Sequence, residues 1–302
     1  MMDLHRLRLL SELRRRGTVA AVARALAYSP STVSHQLAAL QREAGTELLR
    51  REGRLLRLTP AAYVLADHAD ALLARMEQAE AEVAATAGLV AGVVRVACFP
   101  TAVSLVGPAI AHLARHHPAV RVQTTVTEPH IALDMLESRS CDLAICDEFD
   151  ADPRPRVPGL HFAELDPDRI WLVVPRDHPQ AGASAARIGE LADEVWAGGP
   201  TETSHGRIVA EVCRERGGFA PDIRHRTSDA QALLFLVGAG QAVTLLPELA
   251  RPEQATEVAA VAIEGPPVVR RILAVVRETA LRDPAVSAVR AALRPPGRPA
   301  SG

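Results

Sequence analysis

Two periodicities divide this chain. Up to Gly92 the apolar residues recur at helical spacing. From Val93 they gather into short strand-like runs: VVRVAC, VRVQTTV, DLAIC, IWLVVP, AVTLLP and RRILAVVRE. Helical patterns at 104–116, 129–139, 204–216 and 229–239 separate most of these runs. Strand and helix in alternation predict βαβ units and a mostly parallel sheet. Residues 93–302 are more than one such sheet usually holds. Two proline-rich breaks, PRPRVPG at 153–159 and EGPPVVRR at 264–271, read as crossovers between two α/β lobes. The last segment then returns to the first lobe. This places lobe I at about 89–155 and 267–295, and lobe II at about 160–264.

The first 60 residues read differently. Leu4, Leu7, Leu10 and Leu13 step by three along an amphipathic helix over 3–16, which Gly17 ends. Thr18 caps a short second helix whose Val19, Val22, Ala23 and Leu26 face inward. After a tight AYS connection, Ser29 is the N-cap of a third helix, with Pro30 in its first turn and Gly45 as its stop. TELLRREGRLLRLTP predicts a β-hairpin turning at Glu52-Gly53. From Thr59 to about Ala87 there is no Gly or Pro after Pro60. Val64, Leu65, Leu72, Leu73, Met76 and Val83 form a stripe on an otherwise polar rod. Such a rod cannot bury its stripe alone and is expected to pair with a copy of itself. Gly88 and Gly92 close it as a hinge. The boundaries are therefore 1–59, 60–88 and 89–302, an α+β multidomain chain. The tail RPPGRPASG is expected to be disordered.

Charge sharpens the division. The 34 basic residues are all arginine, and residues 1–60 hold eleven of them against five acids. That is +6 for the head, leaving −8 for the remainder of a chain of net charge −2. A small basic module on a larger acidic body points to a polyanion partner. Apolar residues make up 48% of the chain but aromatics only 3%, so Ala, Val and Leu must fill the cores. No apolar run reaches the ~18 residues a membrane-spanning helix needs. The charged start MMDLHRLRLLSELRRRG has no apolar core of a secretory signal, so a cytoplasmic protein with no membrane partner is expected. Cys98, Cys141, Cys146 and Cys213 are too few and too scattered for a disulfide framework or a zinc site, and buried free thiols are the simpler reading.

The stretch YSPSTVSHQLAAL at 28–40 carries the functional question. On a helix beginning after Ser29, Val33, Leu37, Leu40 and Ala44 line one face and must pack on the first two helices. Pro30, Ser31, Ser34, His35 and Ala38 fall on another. That face is short and hydrogen-bonding, as a helix approaching base edges in a major groove requires. A capped surface helix would carry the same residues. The preceding short helix, the tight turn and the following basic hairpin decide for a winged helix-turn-helix. Candidate DNA contacts are Thr18, Ser29, Pro30, Ser31, Thr32, Ser34 and His35. Arg42 and the wing arginines Arg50, Arg51, Arg54 and Arg57 stand beside the backbone.

GTVAAVARALAYSPSTVSHQLAALQREAGTELLRREGRLLRLTPAA, at 17–62, resembles the LysR-type transcriptional regulators. It follows their S-x-x-x-S-x-Q-I-x-x-L-E, G-x-x-L-F-x-R and R-x-x-x-L-T-x-A-G patterns closely. His35 stands for a common Arg, Gln41 for a common Glu, Leu49 for a common Phe and Ala62 for a common Gly. FLVGAGQAVTLLPELA at 235–250 also looks like the family's effector domain. The resemblance implies a two-lobed α/β effector domain resembling type 2 periplasmic binding proteins. It further implies a homodimer through the linker helix, a tetramer of two dimers, and RNA polymerase as a partner besides double-stranded DNA. A small-molecule effector would sit between the lobes, touched by Phe99, Pro100, Thr101, Ala102, Glu128, His130, Thr201, Thr203, Ser204 and Thr244. Strand ends in open α/β sheets are where ligands bind, although Thr and Ser before helices are commonly plain caps.

Two other classes fit less well. A metabolic enzyme with a regulatory head is disfavoured: there is no G-x-x-x-x-G-K-[ST] loop, no G-x-S-x-G elbow and no lysine for a Schiff base. A solute-binding module without regulatory output is disfavoured by the basic head and the missing export signal. No catalytic residue, metal ligand or cofactor is expected.

Overall fold

The computed structural model describes residues 2–52, 55–88, 90–149 and 153–294, with Arg51 and Leu55 described by backbone alone. The head is α1 (Leu4–Arg16), α2 (Val19–Ala25), α3 (Pro30–Ala44), β1 (Leu49–Glu52) and β2 (Leu55–Leu58). Its boundaries are set locally. Asp3 caps α1, Thr18 caps α2 through Ala21 N–H, and Ser29 caps α3 through Thr32 N–H. Gly17 and Gly45 end α1 and α3 in the left-handed region, where a side chain would be strained. Ala27, without that freedom, also takes φ +55 in the α2–α3 turn. Leu7, Leu9, Leu10, Leu13, Val22, Val33, Leu37, Leu40 and Leu48 fill one core. Truncating a fully buried member such as Leu37 to Ala would cost about 2–5 kcal/mol. Glu52 pairs with Leu55, so Glu52 is the last strand residue of the hairpin rather than the first of its turn. Gly53, expected in that turn, lies outside the described residues.

Helix α4 (Pro60–Thr86) is capped by Thr59 and runs 27 residues. Its face toward its own chain is alanine: Ala62, Ala66 and Ala69 seat on the head core. The expected stripe divides. Leu65 and Leu73 are half-buried, while Val64, Leu72, Met76 and Val83 stay exposed together with Tyr63.

The body continues as β3 (Gly92–Cys98), α5 (Val103–His116), β4 (Val120–Val126), α6 (Pro129–Glu137), β5 (Leu143–Phe149) and β6 (Leu160–Pro175). Then come β7 (Val195–Gly198), α7 (Ser204–Val212), β8 (Asp222–Arg226), α8 (Ala230–Gly238), β9 (Thr244–Pro247), β10 (Val258–Val261), β11 (Val269–Arg277) and α9 (Pro284–Ala292). The large sheet has the order β10–β6–β11–β5–β3–β4, with β9 also on β6; β7 pairs with β8 separately. The mostly parallel expectation gives way to a mixed sheet. β3 runs parallel to β4 and β5, but β11 is antiparallel to β5 and β6, and β9 and β10 are antiparallel to β6. Strand direction is fixed by chain return, which no local pattern encodes.

Lobe crossing also differs from expectation. Residues 160–169 of β6 pair with β11 in the first lobe, and only 170–175 pair with β9 and β10 in the second. The passage lies inside one 16-residue strand rather than at its start. Val94, Val96, Leu113, Leu143, Ile145, Ile272 and Val289 are among the residues of lobe I's core. Leu172, Val174, Ile188, Trp196, Val209 and Leu245 are among those of lobe II's. The expected disordered tail beyond Arg294 lies outside the described residues.

Candidate nucleic-acid interface and inter-lobe cavity

Helix α3 has two chemically distinct faces. Val33, Leu37, Ala39 and Leu40 are buried, whereas Pro30, Ser31, Thr32, Ser34, His35, Ala38 and Arg42 are exposed. The caps are engaged with backbone: Ser29 Oγ accepts from Thr32 N–H at 3.0 Å and contacts the hydroxyls of Ser31 and Thr32 at 2.8 and 2.7 Å. Thr18 Oγ1 likewise accepts from Ala21 N–H at 3.1 Å. Of the expected contacts, Thr18 and Ser29 thus stand as caps, and Ser31, Ser34 and His35 stand outward. Gln41 lashes the wing to this helix, its Oε1 accepting from Leu48 and Leu49 N–H at 3.0 and 3.2 Å. The exposed Arg50 shares Glu47 at 3.2 Å. Arg51 is described only by its place on β1, and Arg54 lies outside the described residues.

A cavity of about 60 Å³ lies between the lobes, with room for a handful of waters. Phe99, Pro100, Thr101, Glu128, Thr203 and Ser204 of the expected effector contacts line it. Four expected contacts do not. Ala102 is buried in the lobe I core, His130 and Thr201 are exposed, and Thr244 is buried with Oγ1 donating to the Ala197 carbonyl at 2.7 Å. For Ala102 and His130 the preceding residue, Thr101 or Pro129, takes the lining position, because a helical turn directs successive side chains to different sides.

Charged residues outside the sequence-based expectation make up the polar wall. The buried Arg270 donates from Nε to Asp168 at 2.8 Å, from Nη1 to Asp147 at 3.1 Å and from Nη2 to Thr101 Oγ1 at 2.7 Å. Its guanidinium lies 4.8 Å from the centre of the Phe99 ring. Asp147 also holds Arg154 at 3.0 Å, and Arg154 donates to Ser204 Oγ at 3.2 Å, which ties lobe I to lobe II. One residue on, the fully buried Glu148 accepts Arg156 at 2.8 and 2.9 Å, Arg271 at 3.0 Å and the Arg154 amide at 3.0 Å. The paired bonds from Arg156 hold its carboxyl below the ordinary range despite burial. His205 lines the cavity, and burial lowers it below the ordinary imidazole range. Its neutral ring donates from Nε2 to the Leu245 carbonyl at 2.6 Å. Gly199 and Gly206 permit this turn, since a Cβ on Gly206 would run into the Pro200 carbonyl oxygen and one on Gly199 into Thr203 Oγ1. One signal could have found Asp147: an acid near the C-terminal end of an apolar strand, where such sheets bind ligands.

Comparison with known proteins bears on both sites. Residues 4–63 match the family described as bacterial regulatory helix-turn-helix protein, lysR family, and residues 87–296 match the LysR substrate binding domain. The chain is 26% identical over 249 residues to the transcriptional dual regulator GltC of Bacillus subtilis, covering 82% of this chain and 81% of that one. It is 31% identical over 243 residues to a Mycobacterium avium protein named "Probable hydrogen peroxide-inducible genes activator", with 78% and 74% covered. Full-length OxyR of Pseudomonas aeruginosa, solved as a point variant, shares the fold at a TM-score of 0.66 and 20% identity, covering 97% of this chain and 95% of that one. The chain belongs to the LysR family: it is a DNA-binding transcription regulator with an effector-binding domain.

Proposed function

We propose that the head reads an operator through Ser31, Ser34 and His35 of α3, and that a small molecule in the inter-lobe cavity sets the outcome. The observation that carries this reading is the two-faced α3 beside a basic hairpin. Its buried face is held by the head core, its outward face is short and polar, and Arg42 and Arg50 beside it are exposed. We place the regulator in the cytoplasm, as a homodimer joined along α4 and assembled further into a tetramer, without enzymatic activity.

The signal we propose is a bound molecule rather than oxidation of a thiol, although one relative is named for hydrogen peroxide. Burial pushes Cys98 up to about 11 and Cys141, Cys146 and Cys213 up to about 12, so their reactive thiolate forms are scarce at neutral pH. None of the four lines the cavity. Among the described residues no helix is long and apolar enough to cross a membrane.

A mobility-shift titration on DNA upstream of the protein's own gene tests the DNA half of this reading. Retardation at low salt is expected, with Ser34→Ala and His35→Ala changing the sequences selected from a randomised library while circular dichroism stays unchanged. Arg50→Ala should lower the salt slope by about 0.9 if it meets one phosphate. Failure to retard any such fragment at low salt overturns the reading. Peroxide is expected to leave the affinity unchanged.

A further inference from the structure

Among the described residues two arginines are buried, Arg270 and Arg277, each 6% exposed, and both lie on β11. Seven strand residues at about 3.3 Å each set them about 23 Å apart. Their odd spacing turns the two side chains to opposite faces of the sheet. Arg270 is the polar wall of the inter-lobe cavity. Arg277 grips the linker helix: Nε and Nη2 lie 2.7 and 2.6 Å from Glu77 Oε1, in the middle of α4. Its Nη1 donates to the carbonyls of Leu136 and Cys141 at 2.6 and 2.8 Å, at the end of α6. Thr279 Oγ1 donates to the other oxygen of Glu77, and Arg139 stands 3.8 Å from it. A single acid on α4 thus receives three groups from lobe I.

The strand between these arginines is stiff. β11 pairs with β5 without a break from Arg270 to Val276, and with β6 from Val269 to Arg271 and again from Leu273 to Arg277, a register shift interrupting the second ladder at Ile272. The unbroken β5 ladder resists a shift at one end of β11 that the other does not share. At the cavity end, among the described residues, Thr101 is the one neutral hydrogen-bond acceptor on Arg270, beside two carboxylates. It is therefore the contact that an incoming hydrogen-bond acceptor displaces most readily.

We propose that β11 is a strut joining the cavity to the linker helix. A ligand acceptor that draws Arg270 from Thr101 shifts β11, and Arg277 passes the shift through Glu77 to α4. Arg277 and Glu77 are positioning residues in this scheme, and the two states are Arg270 on Thr101 and Arg270 on the ligand. The scheme rests on the reading that the cavity takes an effector, but its test needs neither effector nor DNA.

The test is amide hydrogen exchange on the full chain, comparing wild type with Thr101→Val and, separately, Thr279→Val. The first removes the Arg270 acceptor at similar side-chain size; the second removes one Glu77 contact at the far end. Thr101→Val is expected to change exchange across residues 73–81 of α4 by about threefold or more. Coupling is reciprocal, so Thr279→Val should change exchange around 99–104 and 247–251. Circular dichroism and a cooperative melt verify that each variant folds, and either folded variant alone decides the outcome. Folded variants whose changes stay confined to their own end of β11 would overturn the strut. That result would leave the mobility-shift outcome untouched, since retardation is read on wild-type protein with DNA.

Discussion

At the scale of single residues, the charges decide more than their number suggests. Glu148 is fully buried yet keeps its charge, because Arg156, Arg271 and the Arg154 amide replace the water it has lost. Its carboxyl is held below the ordinary value, so the unfolded chain binds the proton first as pH falls. Stability from this group is therefore full above the unfolded carboxylate value of about 4.3 and declines as pH drops toward the lower folded value. Urea unfolding between neutral pH and about pH 3 should show that loss. Glu148→Gln should flatten the profile in this window, and Glu148→Ala should cost about 1–3 kcal/mol at neutral pH, chiefly by leaving the Arg154 amide without its acceptor, since the part-exposed Arg156 and Arg271 can turn to water. An acid limb as steep in Glu148→Gln as in wild type would exclude this residue as its source. Little of this cluster was legible in sequence. Ser29, Thr18 and Gly45 announce themselves because a cap acts on residues two to four positions away. Arg270 and Asp147 lie 123 positions apart, and RRILAVVRE reads as a strand with charged ends whether or not those ends are buried. Chain return alone makes them partners.

Among the elements, legibility follows the range of the forces involved. α1, α2, α3 and α4 stand where period and caps place them, since both signals are local. β7, β8 and β10 had no such signal: each is four or five residues long and is defined by a partner elsewhere in the chain. α4 lies between these cases. Its existence was readable, but the division of its apolar positions was not, because the alanine face takes the head and frees the larger side chains. Leu72, Met76 and Val83 step by four and seven, the spacing of a seam that pairs with a copy of itself, while Leu65 packs on the head core. Leu72, Met76 and Val83 are 50, 46 and 70% exposed, a large apolar display for a single chain in water. Leu72→Glu should leave the unfolding free energy of the monomer within about 0.5 kcal/mol, as surface changes do. It should weaken self-association on the order of a hundredfold, because two carboxylates then face an apolar seam. Sedimentation velocity over a concentration series reads this directly. An unchanged dimer would move the association surface off α4.

For the molecule as a whole, the described residues show the head and its α4 meeting lobe I through two polar contacts of different depth. The shallow one joins α1 to α6: Arg8 donates to the Ser138 carbonyl at 2.5 Å, Arg15 meets Glu137 at 3.2 Å and Arg16 stands 3.9 Å from Asp134. The deep one is the Arg277–Glu77 clamp on α4, whose arginine is almost wholly out of water. Exposed pairs contribute about 0–1 kcal/mol each and are screened by salt, whereas buried pairs are screened far less. Raising salt from about 0.1 to 1 M shortens the screening length from about 10 to 3 Å. The α1–α6 seam should therefore loosen while the clamp holds. The head would then pivot about α4 rather than detach, and its angle to the body would become a function of ionic strength. Amide exchange at the two salt concentrations separates these contacts. Residues 134–140 should exchange a few-fold faster at high salt, and residues 73–81 of α4 should be unchanged. An equal response at both would mean that burial does not distinguish them and that the head is held by charge alone. In that case substitutions at Arg15 and Arg16 should release it as fully as salt does.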